Sequence, residues 1–151
     1  MRRTGNTDYI AIHCSATPPS MNIGSSTIRK WHKERGFSDI GYNVIIKRDG
    51  TIEVGRPLDW RGAHIRGYNN RSVGVCLIGG VDDDGKAKSN FTEPQWDSLY
   101  ITVEFLLKMW PGAKVQGHKD FPNVKKACPS FDAAGWWDVV CRTRSQLSSV
   151  E

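Results

Sequence analysis

The stretch Ser72-Val73-Gly74-Val75-Cys76-Leu77-Ile78-Gly79 carries no charged side chain and places apolar residues at both odd and even positions. Successive residues of a strand point to opposite faces, so a strand of this composition has to be covered on both sides. It reads as the fully buried central strand of a sheet, with Cys76 as a small apolar filler within it. Helices must therefore pack on that sheet, and the flanking sequence supplies them. Thr92-Glu93-Pro94-Gln95 opens a helix with a cap, an early proline and a glutamine at the third helical position. Trp96, Leu99, Val103, Leu106, Leu107 and Trp110 then recur at helical spacing before Pro111-Gly112. Ser25 or Ser26 can cap an earlier helix that runs to Gly36, with Ile28, Trp31 and Arg35 on one stripe. A third, amphipathic helix starts near Asp132 and carries Trp136, Trp137, Val140 and Cys141.

Further strands are short and bounded by turns. Tyr9-Ile10-Ala11-Ile12-His13-Cys14 ends at Ser15-Ala16-Thr17-Pro18-Pro19. Gly41 to Arg48 forms another, and Asp49-Gly50 predicts a two-residue hairpin turn into Thr51-Ile52-Glu53-Val54. Ala113-Lys114-Val115-Gln116 is a short strand that delivers His118 at its end. The expected architecture is α/β: one domain, built on a single mixed central β-sheet flanked by about three helices.

A length of 151 residues suits one domain with its own core, and 38% hydrophobic with 25% charged residues excludes a disordered chain. The net charge of +5 favours a polyanionic partner: nucleic acid, an anionic cell-wall polymer or a membrane surface. No nucleic-acid recognition motif accompanies it, so no direct nucleic-acid binding is expected. Arg2-Arg3 is followed by no apolar stretch of a signal peptide, and no run of about 18 apolar residues could insert in a membrane. Synthesis and retention in the cytoplasm follow, unless something else releases the chain. Residues 1–8 are polar and unpatterned and predict a flexible N-terminal arm. Cys14, Cys76, Cys128 and Cys141 form no CxxC pair and read as free thiols.

Chemistry concentrates at Gly117-His118-Lys119-Asp120 and Lys125-Lys126-Ala127-Cys128. His118 and Cys128, joined by His13 at the end of the first strand, could complete a zinc site with three protein ligands and a fourth position left for water. Two imidazoles and a thiolate suit zinc better than magnesium or calcium. A lone His13 would otherwise be a buried histidine donating to a carbonyl, and Cys14, on the opposite strand face, is not expected to serve the same site. Tyr42 and Lys126 would fit such a site as stabilisers of an oxyanion in metal-assisted hydrolysis of an amide or ester. Residues 55–72 form a long loop in which Trp60, His64 and Tyr68 would suit a groove for a sugar or peptide, or Trp60 would cover the core edge. A closed structural zinc is the rival, with His64 or His32 as fourth ligand; His32 alone reads as a packing residue. Val81-Asp82-Asp83-Asp84-Gly85-Lys86 lacks the alternating ligands and final glutamate of a calcium loop and reads as a solvated turn.

Several runs together resemble one family: Ile12-His13-Cys14-Ser15-Ala16-Thr17, Trp31-His32-Lys33-Glu34, Gly41 to Gly50, Gly62-Ala63-His64, Ser72 to Gly80 and Lys126 to Asp132. This is the type-2 N-acetylmuramoyl-L-alanine amidase family, which includes peptidoglycan recognition proteins and phage endolysins. The resemblance covers almost the whole chain, in order. It implies a zinc amidase domain over residues 9–151 with one zinc ion held by His13, His118 and Cys128. Tyr42 and Lys126 would position water and stabilise the transition state, and His64 and Trp60 would bind substrate. The substrate implied is peptidoglycan, cut between N-acetylmuramic acid and L-alanine of the stem peptide to lyse a bacterial host. A monomer made in the host cytoplasm would reach the wall after a separate protein permeabilises the membrane. One phage member of the family also binds and inhibits its phage RNA polymerase, which makes that enzyme a second partner to test. Other members bind peptidoglycan without cutting it and lack the cysteine ligand, which Cys128 supplies here. Relative to the family pattern, His118 and Cys128 stand a couple of residues further apart, with the extra length in Phe121-Pro122-Asn123-Val124-Lys125.

Overall fold

The computed structural model describes residues 1–150, with side chains through Leu147; Glu151, the last residue of the expected domain, lies outside them. Strand β1 (Tyr9–Cys14) is followed by helix α1 (Ser25–Glu34), the hairpin β2 (Val44–Ile46) and β3 (Ile52–Val54), and strand β4 (Ser72–Leu77). Helix α2 (Glu93–Met109), strand β5 (Lys114–Gly117), one 3₁₀ turn at His118–Asp120 and helix α3 (Ala133–Val150) complete the order. The strands form one mixed sheet in the order β3-β2-β4-β1-β5. β1 pairs in parallel with β4 and β5, β2 in parallel with β4, and only β3 runs antiparallel. The α/β reading, a mixed sheet with three helices, is the fold observed.

Every residue of β4 is buried, as its two-sided apolar composition requires. Val73, Val75 and Leu77 join Ile10 and Ile12 on the face covered by Leu99, Val103 and Leu106 of α2 and by Ala133, Trp136 and Trp137 of α3. The other face packs Cys76 and Ile78 with Ile45, Ile40 and Ile28 of α1, and Ala11 with Ile65 and Phe121. Burying an aliphatic side chain of this size stabilises the fold by about 1.5–3 kcal/mol. Among the described residues no helix is long and apolar enough to cross a membrane.

Local differences from the sequence reading have identifiable causes. α2 begins at the expected capping box, with Thr92 accepting from the Gln95 N–H while Gln95 reaches back to the Thr92 N–H. α1 is capped otherwise: Gly24 is the N-cap, and the Ser25 N–H donates to Oε1 of Glu53, 2.8 Å away on β3. Its buried stripe is Ile28 and His32, with Arg35 exposed. The β2–β3 turn is wider than two residues. Lys47 N–H donates to Thr51 C=O and Gly50 N–H to Lys47 C=O, with Gly50 at φ +89° closing the turn in the left-handed region. Residues 1–8 lie along the loop that precedes β4. Arg2 bridges Trp60, and the Arg3 guanidinium donates to the carbonyls of Leu58, Asn69 and Ser72 and to Oδ1 of Asn43.

Candidate metal and catalytic site

Parallel strands share one C-terminal edge, and in open α/β sheets that edge is where ligands bind. Ile12 pairs with Gly117 of β5, so His13 and His118 emerge side by side from adjacent strands, their ring centroids 4.6 Å apart. Cys128 is brought back to the same edge by a loop whose neck is the Lys119 N–H donating to Cys128 C=O at 2.9 Å. Nδ1 of His13 stands 3.9 Å from Sγ of Cys128, and one donor atom from each of His13, His118 and Cys128 lies within 4.8 Å of the others. Tetrahedral zinc with bonds of about 2.0 Å to nitrogen and 2.3 Å to sulfur would hold N and S about 3.5 Å apart. The residues present therefore fit the ion with shifts of about an ångström or less. Among the described residues this is the one grouping of three metal-ligating side chains; neither His32 nor His64 joins it.

Burial, reinforced by the neighbouring His64, His118 and Lys126, holds His13 neutral well below the usual imidazole value. Burial and Lys126 likewise lower His118. Neutral imidazoles are the form that binds metal. A hydrogen bond with the Cys14 thiol and burial push the Cys128 thiol up, so a metal arriving there displaces its proton. Cys14 was not expected to serve this site. Its thiol, beside Gly80 and Ser130, lines the same cleft and interacts with the Cys128 thiol, and its main-chain N–H points at Sγ of Cys128 at 3.2 Å. Alternation keeps Cys14 off the His13 face within the strand, but Cys14 is its last residue, where the cleft wraps over the sheet edge and the amide is free of the ladder.

A cleft of about 320 Å³ opens over the three side chains and is also lined by Tyr42, Lys126, His32 and Arg35. Tyr42 precedes β2, half-buried, its ring centroid 5.0 Å from that of His13. Burial first, then the thiols of Cys76, Cys128 and Cys14, raise its phenol well above the ordinary value, so it is a hydrogen-bond donor at neutral pH. Lys126 is exposed at the rim. His32 behaves as the packing residue expected, accepting the Gly41 N–H at Nδ1 over 2.8 Å and lying against Phe37 and Tyr42.

The two residues assigned to substrate are placed differently from each other. His64 lines the floor of the cleft, but its Nδ1 is engaged by Nε2 of His13 at 2.8 Å. Trp60 is not brought to this cleft. Its main chain is drawn to Arg2 on one side and to the Asn43 amide on the other, and its ring lines a separate hollow with Met1, Ser38 and Asp39. Sequence reasoning also passed over Asn43, a polar residue opening an apolar run. It ties the loop to the sheet, donating to the carbonyls of Arg56, Pro57 and Trp60 and accepting the Gly74 N–H.

Comparison with known proteins agrees with this fold. The family Amidase_2, N-acetylmuramoyl-L-alanine amidase, matches residues 3–131. The endolysin of Escherichia phage T7 is 51% identical over 133 residues, covering 88% of this chain and 87% of that protein. Among solved structures, the N-acetylmuramoyl-L-alanine amidase LysC from Clostridium intestinale superposes with a TM-score of 0.75 at 26% identity, covering 95% of this chain and 93% of the other. Drosophila PGRP-LB gives 0.72 at 28% identity, over 85% of this chain and 78% of its own. A fold, a three-ligand edge and a match of this extent lead to one assignment: the chain belongs to the N-acetylmuramoyl-L-alanine amidase family.

Proposed function

We propose that this protein is a zinc-dependent endolysin that cleaves the amide between the lactyl group of N-acetylmuramic acid and the first L-alanine of the peptidoglycan stem. The observation that carries the reading is the convergence of His13, His118 and Cys128 beneath a cleft that also receives Tyr42 and Lys126. Held by those three side chains, zinc would supply Lewis-acid polarisation of the scissile carbonyl and a water acidic enough to attack at neutral pH. The remaining chemistry belongs to the chain. The protonated Tyr42 phenol donates to the oxygen that gains charge as the amide carbon becomes tetrahedral, and the Lys126 ammonium adds positive potential at the rim. Arg35 and Lys126 line the cleft and no carboxylate does, which suits a stem peptide bearing carboxylates.

The direct test is release of L-alanine amino termini from purified peptidoglycan by metal-stripped protein before and after zinc is added. Zinc-restored release without new sugar reducing ends is the expected result. Tight zinc binding with no release in either condition would move the weight to a peptidoglycan-binding module that does not cut. The protein would be made in the host cytoplasm as a monomer and act once the membrane is permeabilised. Inhibition of a phage RNA polymerase is a separate activity, and unchanged transcription on mixing the two would remove it.

A further inference from the structure

His13 is the innermost of the three candidate ligands, and the partner of its far nitrogen is another histidine rather than the carboxylate or carbonyl more usual behind a metal ligand. From there the contacts run inward in a line. Nε2 of His13 meets Nδ1 of His64 at 2.8 Å, Nε2 of His64 meets Oγ of Ser72 at 3.3 Å, and Oγ of Ser72 meets the main-chain carbonyl of Tyr68 at 2.7 Å.

The last member fixes the direction of every proton in this line. A carbonyl only accepts, so the Ser72 hydroxyl donates to Tyr68. Oγ then offers a lone pair to His64, whose proton sits on Nε2. Nδ1 of His64 is left unprotonated, and His13 donates to it from Nε2. His13 is thereby held as the tautomer whose bare nitrogen is Nδ1, the atom 3.9 Å from Sγ of Cys128. The reverse order would set two acceptors face to face at Ser72 and Tyr68, and would leave a proton on Nδ1 of His13 where a metal should bind.

The position of the His64 ring is itself built. A Cβ on Gly74 of β4 would come within 2.8 Å of the ring, and one on Gly62 within 2.6 Å of it, so both glycines leave the room the imidazole fills. The main chain beneath is pinned by Asn69, whose Oδ1 accepts the N–H groups of His64 and Ile65 at 2.8 and 2.9 Å.

We propose that His64 is a positioning residue that, through Ser72 and the Tyr68 carbonyl, selects the metal-binding tautomer of His13. The proposal rests on the zinc reading of His13, His118 and Cys128 but makes its own claim about proton positions in the metal-stripped protein. Nitrogen-15 NMR of that protein should show His13 and His64 both protonated at Nε2 and bare at Nδ1, and this arm stands whether or not zinc binds. His64→Phe, which keeps a ring but removes the acceptor, should scramble the His13 tautomer and weaken zinc binding in a chelator competition by about 10–100-fold. His64→Asn places an amide oxygen near the position of Nδ1 and should recover most of that loss, which a residue needed only for packing would not do. Thermal melts of the metal-free variants confirm that each is folded. Failure of wild-type protein to take up zinc, with the tautomers as stated, would overturn the metal reading alone. Nδ1-protonated His13 in the wild type, or wild-type zinc affinity in His64→Phe, would overturn the positioning role.

Discussion

The main-chain N–H of Cys14 donates to the sulfur of Cys128 at 3.2 Å across a sequence separation of 114 residues. A thiolate accepts such a bond better than a thiol, so the last amide of β1 favours the form of Cys128 that binds metal. A hydroxyl in its place would be a much poorer zinc ligand at neutral pH. Cys128→Ser is expected to leave a folded protein that fails to retain zinc and loses at least about 100-fold of its amidase turnover. Metal content after dialysis and alanine release together check it; retained zinc with normal turnover would remove Cys128 from the ligand set.

In the proposed reaction Tyr42 and Lys126 act on developing charge rather than on the ion. Tyr42→Phe and Lys126→Ala should each keep zinc content unchanged while lowering turnover by about 100-fold, the loss typical of one oxyanion donor. The two measurements must be made on the same samples. Normal turnover in both variants would sink these roles.

Acid should weaken the metal-free fold through its buried imidazoles. His64 is lowered from 6.5 to about 3, chiefly by burial, with Arg3 and His118 adding to it, and His13 is lowered by the same kind of cause. In the unfolded chain each regains the ordinary value and takes up a proton first as pH falls. The stability contributed by neutral His64 is therefore complete above about pH 6.5 and lost from there toward pH 3, at about 1.4 kcal/mol per pH unit. Urea midpoints of the metal-stripped protein should fall across that window, and His64→Asn should flatten the slope. A slope unchanged by the substitution would contradict the assignment.

Gln95 is fully buried, and its side chain ties three segments together. Nε2 donates to the carbonyls of Ile46 and Ile78, and Oε1 accepts from Arg48 and the Thr92 N–H. Gln95→Ala leaves those groups short of partners in a dry interior and should destabilise the fold by about 3 kcal/mol. Denaturant melts check the value; a loss below about 1 kcal/mol would mean that water replaces the amide.

The same glutamine marks the limit of what could be read from the sequence. Thr92 and Gln95 stand three apart, so their capping box was legible, whereas the carbonyls of Ile46 and Ile78 lie in other elements and carry no local signal. The mixed central sheet was legible because β4 is apolar on both faces, β1 is a short apolar run and Asp49-Gly50 marks a hairpin. The candidate metal edge was legible in residue types, since His13, His118 and Cys128 fall at or after strand ends. The N-cap of α1 was not, because its acceptor is Glu53 on a different strand, reached only after the hairpin folds. Nor was the engagement of His64, which depends on the space above Gly62 and Gly74. Trp60 was drawn toward the site by loop composition alone, while the pull of Arg2 and Asn43 on its main chain is a tertiary fact.

The neck of the loop between His118 and Cys128 has a further consequence. Because the Lys119 N–H and the Cys128 carbonyl close it at 2.9 Å, the two candidate ligands stand on opposite posts of a gate, and their separation does not depend on how much chain is strung beyond it. Phe121 is tucked into the core beside Ala11 and Ile65, while Pro122, Asn123 and Lys125 are exposed. Spacing there is thus a neutral coordinate for the site, open to insertion and deletion during divergence and to grafting by design, while the residues at the posts stay fixed.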